Sequence, residues 1–220
     1  LGRYLADRYG FDVRNRIAFS DAGWSREHWA ALAELGIPAA LFDSAAGGFG
    51  GSAFDIGIIF EKLGKALVVE PFLGTLMAGH AVRLAGGDAG LLGQLVSGEL
   101  IAAFAHQEPL GRYALEDVRT VASRQGERWS LSGRKAVVAR LGAADVILVA
   151  ARTAGQPCDA TGISLFVVQS GAAGLNVRGY PMIDGGRGGE LSLHDTPATL
   201  LGSIDQAYPV IEEVVALGNV

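Results

Sequence analysis

The chain has 220 residues, of which 50% are hydrophobic and 19% charged, a composition that can bury a core in one large domain or two small ones. Its formal net charge of −5 and its lack of a basic run argue against a nucleic-acid partner, which needs cations that displace counterions from phosphates. The single cysteine, Cys158, excludes an internal disulfide and a cysteine metal cluster, and no uninterrupted apolar run reaches the roughly 18 residues of a membrane span.

The first part of the chain, 1–98, has the apolar spacing of helices. Ser25 is a candidate N-cap, and Ser52 with Asp55 has the spacing of a capping box. A further helix is predicted from about 73 to 84, after Pro71 ends its predecessor. We therefore predict an N-terminal all-helical domain over 1–98.

A glycine-rich segment, 48–53, fits the dinucleotide-binding pattern G-x-G-x-x-A and opens the helix that Ser52 caps. A dinucleotide-binding unit needs a parallel strand directly after that helix, whereas here Pro71 leads into more helix. A glycine-rich loop before a capped helix is the favoured interpretation. An NAD-type dinucleotide-binding oxidoreductase that uses the Gly48 loop is the rival enzyme hypothesis.

After Gly98 the apolar period changes to the two-residue period of strands, in eight short runs separated by turn residues. Such intervals are typical of an antiparallel barrel or sandwich, so we predict a middle antiparallel β-barrel domain over 99–205. The helical period returns at Ala207, in a helix that the sequence leaves without a packing surface. We expect 206–220 to begin a truncated C-terminal helical domain, in an α+β fold whose C-terminal helical bundle is missing. The lack of an initial Met also suggests a missing N-terminus.

Several segments, in this order, resemble the acyl-CoA dehydrogenase family. Residues 61–66 (EKLGKA) resemble its E-E-L-[GA]-R helix, and 103–109 (AFAHQEP) resemble a strand that ends in T-E-P. Residues 131–139 (LSGRKAVVA) are similar to the turn N-G-x-K-x-W-I-T, and 162–168 (GISLFVV) to the strand G-[IT]-S-x-F-[LV]-V. Residues 189–202 resemble the closing strand and its L-L-G turn. Segment 106–113 is also similar to small subunits named pimeloyl-CoA dehydrogenase, although it does not specify an acyl length.

This resemblance implies that the complete protein uses FAD to desaturate an acyl-CoA between its α and β carbons. The family's catalytic base is a glutamate of the C-terminal helical domain, so no residue of this chain is assigned as catalytic. Homo- or hetero-oligomers are implied, with a neighbouring subunit completing the FAD pocket, and an electron-transfer protein is a possible acceptor. We expect a cytoplasmic protein.

The resemblance also assigns a cofactor-binding set, in which Gln107 replaces the Thr of T-E-P that bonds the flavin ring. Arg112 and Tyr113 stand where the family usually has Gly-Ser. Val137 replaces a Trp that packs beside the flavin, and Ala139 replaces a Thr or Ser near its reactive nitrogen. The full set is Phe104, His106, Gln107, Arg112, Tyr113, Val137 and Ala139.

Each of these residues also fits an ordinary structural role. Phe104, Val137 and Ala139 suit a barrel interior, and His106 follows an apolar strand with no second histidine nearby to form a metal pair. Glu108 is expected in a solvated turn. Because Val137 and Ala139 lack the family's aromatic ring and hydroxyl, the alternative function is a flavin-poor structural subunit of a heteromeric acyl-CoA dehydrogenase.

Overall fold

A computed structural model describes residues 1–219 as helices followed by a β-barrel and a last helix. Short 3₁₀ turns cover 39–41, 44–46 and 141–143. The helices are α1 (Gly2–Arg8), α2 (Phe11–Ala18), α3 (Arg26–Glu34), α4 (Ala53–Lys65), α5 (Phe72–Leu84), α6 (Ala89–Ser97) and α7 (Ala207–Gly218). The strands are β1 (Ala102–Ala105), β2 (Val121–Gln125), β3 (Arg128–Ala139), β4 (Val146–Arg152), β5 (Ile163–Gln169), β6 (Leu175–Pro181) and β7 (Arg187–Leu201).

The two caps predicted from the sequence are confirmed. The backbone N–H of His28 donates to Ser25 Oγ at 3.2 Å at the start of α3. At the start of α4, the Asp55 N–H donates to Ser52 Oγ at 3.1 Å, and the Ser52 N–H donates to Asp55 Oδ2 at the same distance. This reciprocal pair satisfies donors that have no partner within the helix.

Five strands close into a barrel in the order β4, β2, β3, β7 and β5, with β5 pairing back to β4. The prediction of a purely antiparallel barrel is wrong at β4. Strand β1 pairs with it in parallel from Ala102 to Ala105, and β2 pairs with it in parallel between Val121 and Arg152. Two parallel neighbouring strands need a long connection, and the segment that contains β2 and β3 provides it between β1 and β4. Antiparallel pairing was inferred from the short intervals along the chain, which do not reveal this crossover.

Helix α7 has a packing surface, contrary to the expectation from the sequence. Ala207, Ile211 and Val214 are buried in one cluster with Ala78 and Val82 of α5. Nine of the 13 residues of α5 are buried, because this helix packs against strand β1 and against α7.

The Gly48 loop does not belong to a dinucleotide-binding fold. Residues 39–41 preceding it form a 3₁₀ turn, and no strand occurs before β1 in the described residues. A Cβ at Gly48 would lie 2.2 Å from the Phe42 carbonyl oxygen, and one at Gly50 would lie 2.3 Å from that of Ala40. The glycines therefore permit close backbone packing, and the NAD-type alternative is wrong.

Within residues 1–219, no helix has both the length and the hydrophobicity that crossing a bilayer requires. The same residues include no group of three or more His, Cys, Asp or Glu side chains arranged to hold a metal ion. Cys158 is exposed.

Candidate functional site

A cavity of about 240 Å³ lies where the chain leaves β1 and passes the C-terminal part of β3. We call it the exit cavity. Five of the seven residues that the sequence assigned to cofactor binding line it. Its walls are His106, Gln107, Glu108, Pro109, Gly111, Arg112, Tyr113, Ala114, Leu115, Ala136 and Val137.

The other two assigned residues do not line the exit cavity. Phe104 is 6% exposed and belongs to the core between the barrel and helices α5 and α7, where its ring stacks on His106 with centroids 5.2 Å apart. Ala139 lines a second cavity, described below. Of the seven residues that the family resemblance assigns to flavin binding, those that line the exit cavity are therefore His106, Gln107, Arg112, Tyr113 and Val137.

A break in strand register explains why Val137 and Ala139 face different cavities. The pairing of β3 with β7 shifts between Lys135 and Val138, and Val137 has a left-handed backbone with φ of 54°. The irregularity buries Lys135 and Val138 and leaves Val137 55% exposed at the exit cavity. Simple alternation would have placed Val137 and Ala139 on one face.

His106 brings an unsatisfied polar atom to the exit cavity. Its Nδ1 is buried and has no hydrogen-bond partner in the described chain. Burial and the nearby charge of Lys135 lower the pKa of His106 to about 4. The imidazole is therefore neutral at neutral pH, with a ring nitrogen available to a ligand.

Glu108 and Lys135 form a buried ion pair beneath this cavity. Lys135 Nζ lies 2.7 Å from Glu108 Oε1, and the two side chains are 0% and 5% exposed. The backbone N–H groups of Arg119 and Thr120 also donate to the Glu108 carboxylate, at 3.0 and 2.9 Å. Burial alone would raise the pKa of Glu108, but Lys135 and these donors hold it below its usual value.

The expectation that Glu108 lies in a solvated turn was therefore wrong, and Lys135 was missed. A lysine followed directly by the apolar run Ala136, Val137 and Val138 is the sequence signal for a buried cation. Its partner lies 27 residues away along the chain, so the pair could not be identified from local spacing.

The backbone around the exit cavity is strained. Seven non-glycine residues in the described chain have a positive φ, and three of them line this cavity. Arg112 has φ of 42° and Tyr113 of 72°, side by side, and Val137 is β-branched, which makes a left-handed backbone especially unfavourable. Such strain concentrates at functional sites, where the surrounding fold maintains it.

A second cavity, of about 300 Å³, lies between helices α4 and α5 and the turn from β6 to β7. We call it the junction cavity. Glu70, Ala139, Arg140, Asp184 and Arg187 contribute to its walls, together with apolar residues of α4 and α5. Glu70 was not assigned to a site from the sequence, although a lone carboxyl within an apolar run is the signal for a buried one.

Both the sequence and the fold of this chain are similar to those of known proteins. Residues 103–195 match the family model described as acyl-CoA dehydrogenase, middle domain. Over 201 residues, the chain is 29% identical to (2S)-methylsuccinyl-CoA dehydrogenase of Cereibacter sphaeroides. This alignment covers 86% of the chain but 36% of the relative, so the chain spans about a third of that relative's length.

Solved structures of similar fold include butyryl-CoA dehydrogenase from Megasphaera elsdenii, with a TM-score of 0.82 at 22% identity. That alignment covers 99% of this chain and 61% of the other. The ChsE4-ChsE5 complex from Mycobacterium tuberculosis has a TM-score of 0.82 at 22% identity, with coverage of 98% and 57%. At these identities, the two structures establish similarity of fold.

Proposed function

This chain belongs to the acyl-CoA dehydrogenase family, and from this we propose that the complete protein oxidises an acyl-CoA thioester at its α and β carbons with FAD as cofactor. The exit cavity carries this proposal. Five residues that the family resemblance assigns to flavin binding meet there, beside three strained backbone positions. FAD, when bound, supplies the acceptor for the hydride that leaves the β carbon.

The residues of the exit cavity fit a flavin in part. The buried Nδ1 of His106 lacks a partner, which suits the polar edge of a ligand ring, and the half-buried amide of Gln107 can both donate and accept. Val137 offers apolar contact at the rim. We propose that these three residues hold the ring, while Ala139 does not face this cavity.

Glu108 and Lys135 position this site and do not take part in proton transfer. Among the described residues, Glu108 is the only carboxylate that lines the exit cavity. Its oxygens already accept from Lys135, Arg119 and Thr120, and its pKa is held low, so it is a weak base. We therefore propose that the base that removes the α proton belongs to a part of the protein outside this chain.

A second candidate function is that of a flavin-poor structural subunit in a heteromeric acyl-CoA dehydrogenase. It is favoured by Val137, which supplies no aromatic ring, and by the position of Ala139 in another cavity. The similarity of fold to the ChsE4-ChsE5 complex is compatible with this assembly. In both proposals, the complete enzyme acts on an acyl-CoA and passes electrons to an acceptor protein.

The absorbance spectrum of the full-length protein, purified alone and with its partner subunit, tests these proposals. The first predicts a flavin spectrum that bleaches on addition of an acyl-CoA, and a Gln107→Leu variant with weaker FAD binding. Gln125→Leu, at the exposed end of β2, is the matched control and should bind FAD normally. The structural-subunit proposal predicts instead that the protein is colourless alone and forms a yellow complex with its partner. It also predicts that Gln107→Leu leaves the FAD affinity of that complex unchanged.

A further inference from the structure

Three unsatisfied polar atoms surround the junction cavity. Five buried side-chain polar atoms lack a hydrogen-bond partner among residues 1–219, and three of them belong to residues that line this one cavity. They are Glu70 Oε1, Arg140 Nη1 and Arg187 Nε. Folded proteins rarely leave such atoms unpaired, so their clustering indicates a polar occupant.

The two arginines are held in place by their other nitrogen atoms. Arg140 Nη2 lies 3.3 Å from Asp184 Oδ2, and Arg187 Nη2 donates to the Ser20 carbonyl oxygen at 2.7 Å. A Cβ at position 186 would lie 1.0 Å from Arg140 Nη1, so a side chain there would displace this guanidinium. The arginines are thus fixed in place, while one N–H group of each has no acceptor.

Glu70 brings the third open atom to the junction cavity. Burial raises its pKa, which favours the protonated form. The Tyr9 hydroxyl donates to Glu70 Oε2 at 2.5 Å, while Oε1 has no partner among the described residues. Neither Arg140 nor Arg187 forms an ion pair with Glu70 within residues 1–219. The open N–H groups of Arg140 and Arg187 are therefore the charged donors at this cavity.

We propose that the junction cavity binds the carboxylate of an aliphatic acid, with Arg140 and Arg187 donating to its oxygens. Guanidinium groups bind carboxylates through charge-assisted hydrogen bonds. Phe60 and Leu63 of α4 and Phe72 of α5 offer apolar walls for the hydrocarbon part, which distinguishes an aliphatic acid from an inorganic anion. A volume of about 300 Å³ is sufficient for a short acid.

Two sources could supply this carboxylate. One is a free aliphatic acid, whose binding is independent of the proposed function. The other is an acyl-CoA whose acyl chain ends in a carboxylate, and this source rests on the proposed function.

Calorimetric titration with hexanoate, with hexanamide as its neutral counterpart, tests the site directly. Hexanoate should bind the chain more tightly than hexanamide, and Arg140→Gln and Arg187→Gln should each weaken hexanoate binding about tenfold or more. Arg178→Gln removes an exposed arginine of β6 and should leave binding unchanged. Gly186→Ala retains every charge but displaces the Arg140 guanidinium, so it should weaken binding even if a charge variant folds poorly.

Equal affinity for hexanoate and hexanamide would overturn the proposal. So would hexanoate binding that survives in all three cavity variants, inorganic phosphate that competes equally well, or a crystal structure in hexanoate that contains only water in the cavity.

The second comparison is adipoyl-CoA against hexanoyl-CoA, which lacks the terminal carboxylate. Tighter binding of adipoyl-CoA that is lost in Arg140→Gln supports the proposal and assigns the site to the substrate. Equal binding of both thioesters, together with hexanoate binding, supports it with a free acid as ligand. Protein that binds hexanoate but never holds FAD would refute the proposed function alone.

Discussion

The exit cavity and the junction cavity each contain a buried glutamate, and the pKa values of the two are displaced in opposite directions. In the exit cavity, Lys135 provides a cation, and the pKa of Glu108 is lowered despite burial. In the junction cavity, the neutral hydroxyl of Tyr9 is the partner of Glu70, and burial raises the pKa. The charge of the partner, rather than the depth of burial, therefore determines the direction in which each pKa is shifted.

The opposite shifts imply opposite pH dependences of folding stability. The native state holds Glu70 protonated at pH values where the unfolded chain releases that proton, so its contribution is present at low pH and lost as the pH rises through the raised pKa. The contribution of Glu108 is present above its unfolded pKa and lost as the pH falls through the lowered one. One cavity is therefore built around an ion pair and the other around a carboxyl whose protonated form is favoured by burial.

The largest loss of unfolding free energy is expected when the ion pair of the exit cavity is broken. Lys135→Met leaves the Glu108 carboxylate buried without its cation and should cost about 3–5 kcal/mol of unfolding free energy, measured by urea denaturation. Adding Glu108→Gln to that variant removes the uncompensated charge and should recover much of the loss. A cost below about 1 kcal/mol for Lys135→Met would show that the pair does not hold this region together.

A smaller effect is expected in the junction cavity. Tyr9→Phe removes the donor to Glu70 Oε2 and the acceptor for the Val69 N–H, and should cost about 1–3 kcal/mol. Glu70→Gln replaces the carboxyl by a neutral group of similar shape and should cost less than Tyr9→Phe, because burial already favours the neutral form of Glu70. If Glu70→Gln proved as damaging in urea denaturation as Lys135→Met, Glu70 would be ionised and the contrast between the cavities would fail.

The smallest effect concerns the strained backbone of the exit cavity. Val137→Gly relieves a left-handed backbone at an exposed β-branched residue and should raise the unfolding free energy by about 0.5–1 kcal/mol. Val177→Gly, on the exposed face of β6, is the matched control and should lower it, because glycine weakens an ordinary strand. The same sign for both variants would mean that Val137 stores no strain.

Local features of the fold could be predicted from the sequence, while contacts between distant segments could not. Ser25 and Ser52 cap their helices through backbone groups three residues away, so short spacing sufficed. The parallel pairing of β1 with β4 and the pairing of Glu108 with Lys135 depend on how the chain returns in space.

The candidate site shows the same division. The family resemblance indicated the segment after β1 and the C-terminal part of β3, which together form the exit cavity. It treated Val137 and Ala139 alike, because the register shift that separates them has no short-range signal. The junction cavity, which brings Glu70 to Arg140 and Arg187, involves segments far apart in sequence.

The central claim is that the exit cavity is where this chain contacts FAD, and hydrogen exchange of the complete protein with and without FAD tests it most directly. Our account predicts that FAD slows exchange in 106–115 and 136–137, which contain the residues that line that cavity. Exchange in 182–187, beside the junction cavity, should change little. Slower exchange confined to 182–187, with 106–115 unaffected at saturating FAD, would contradict the account.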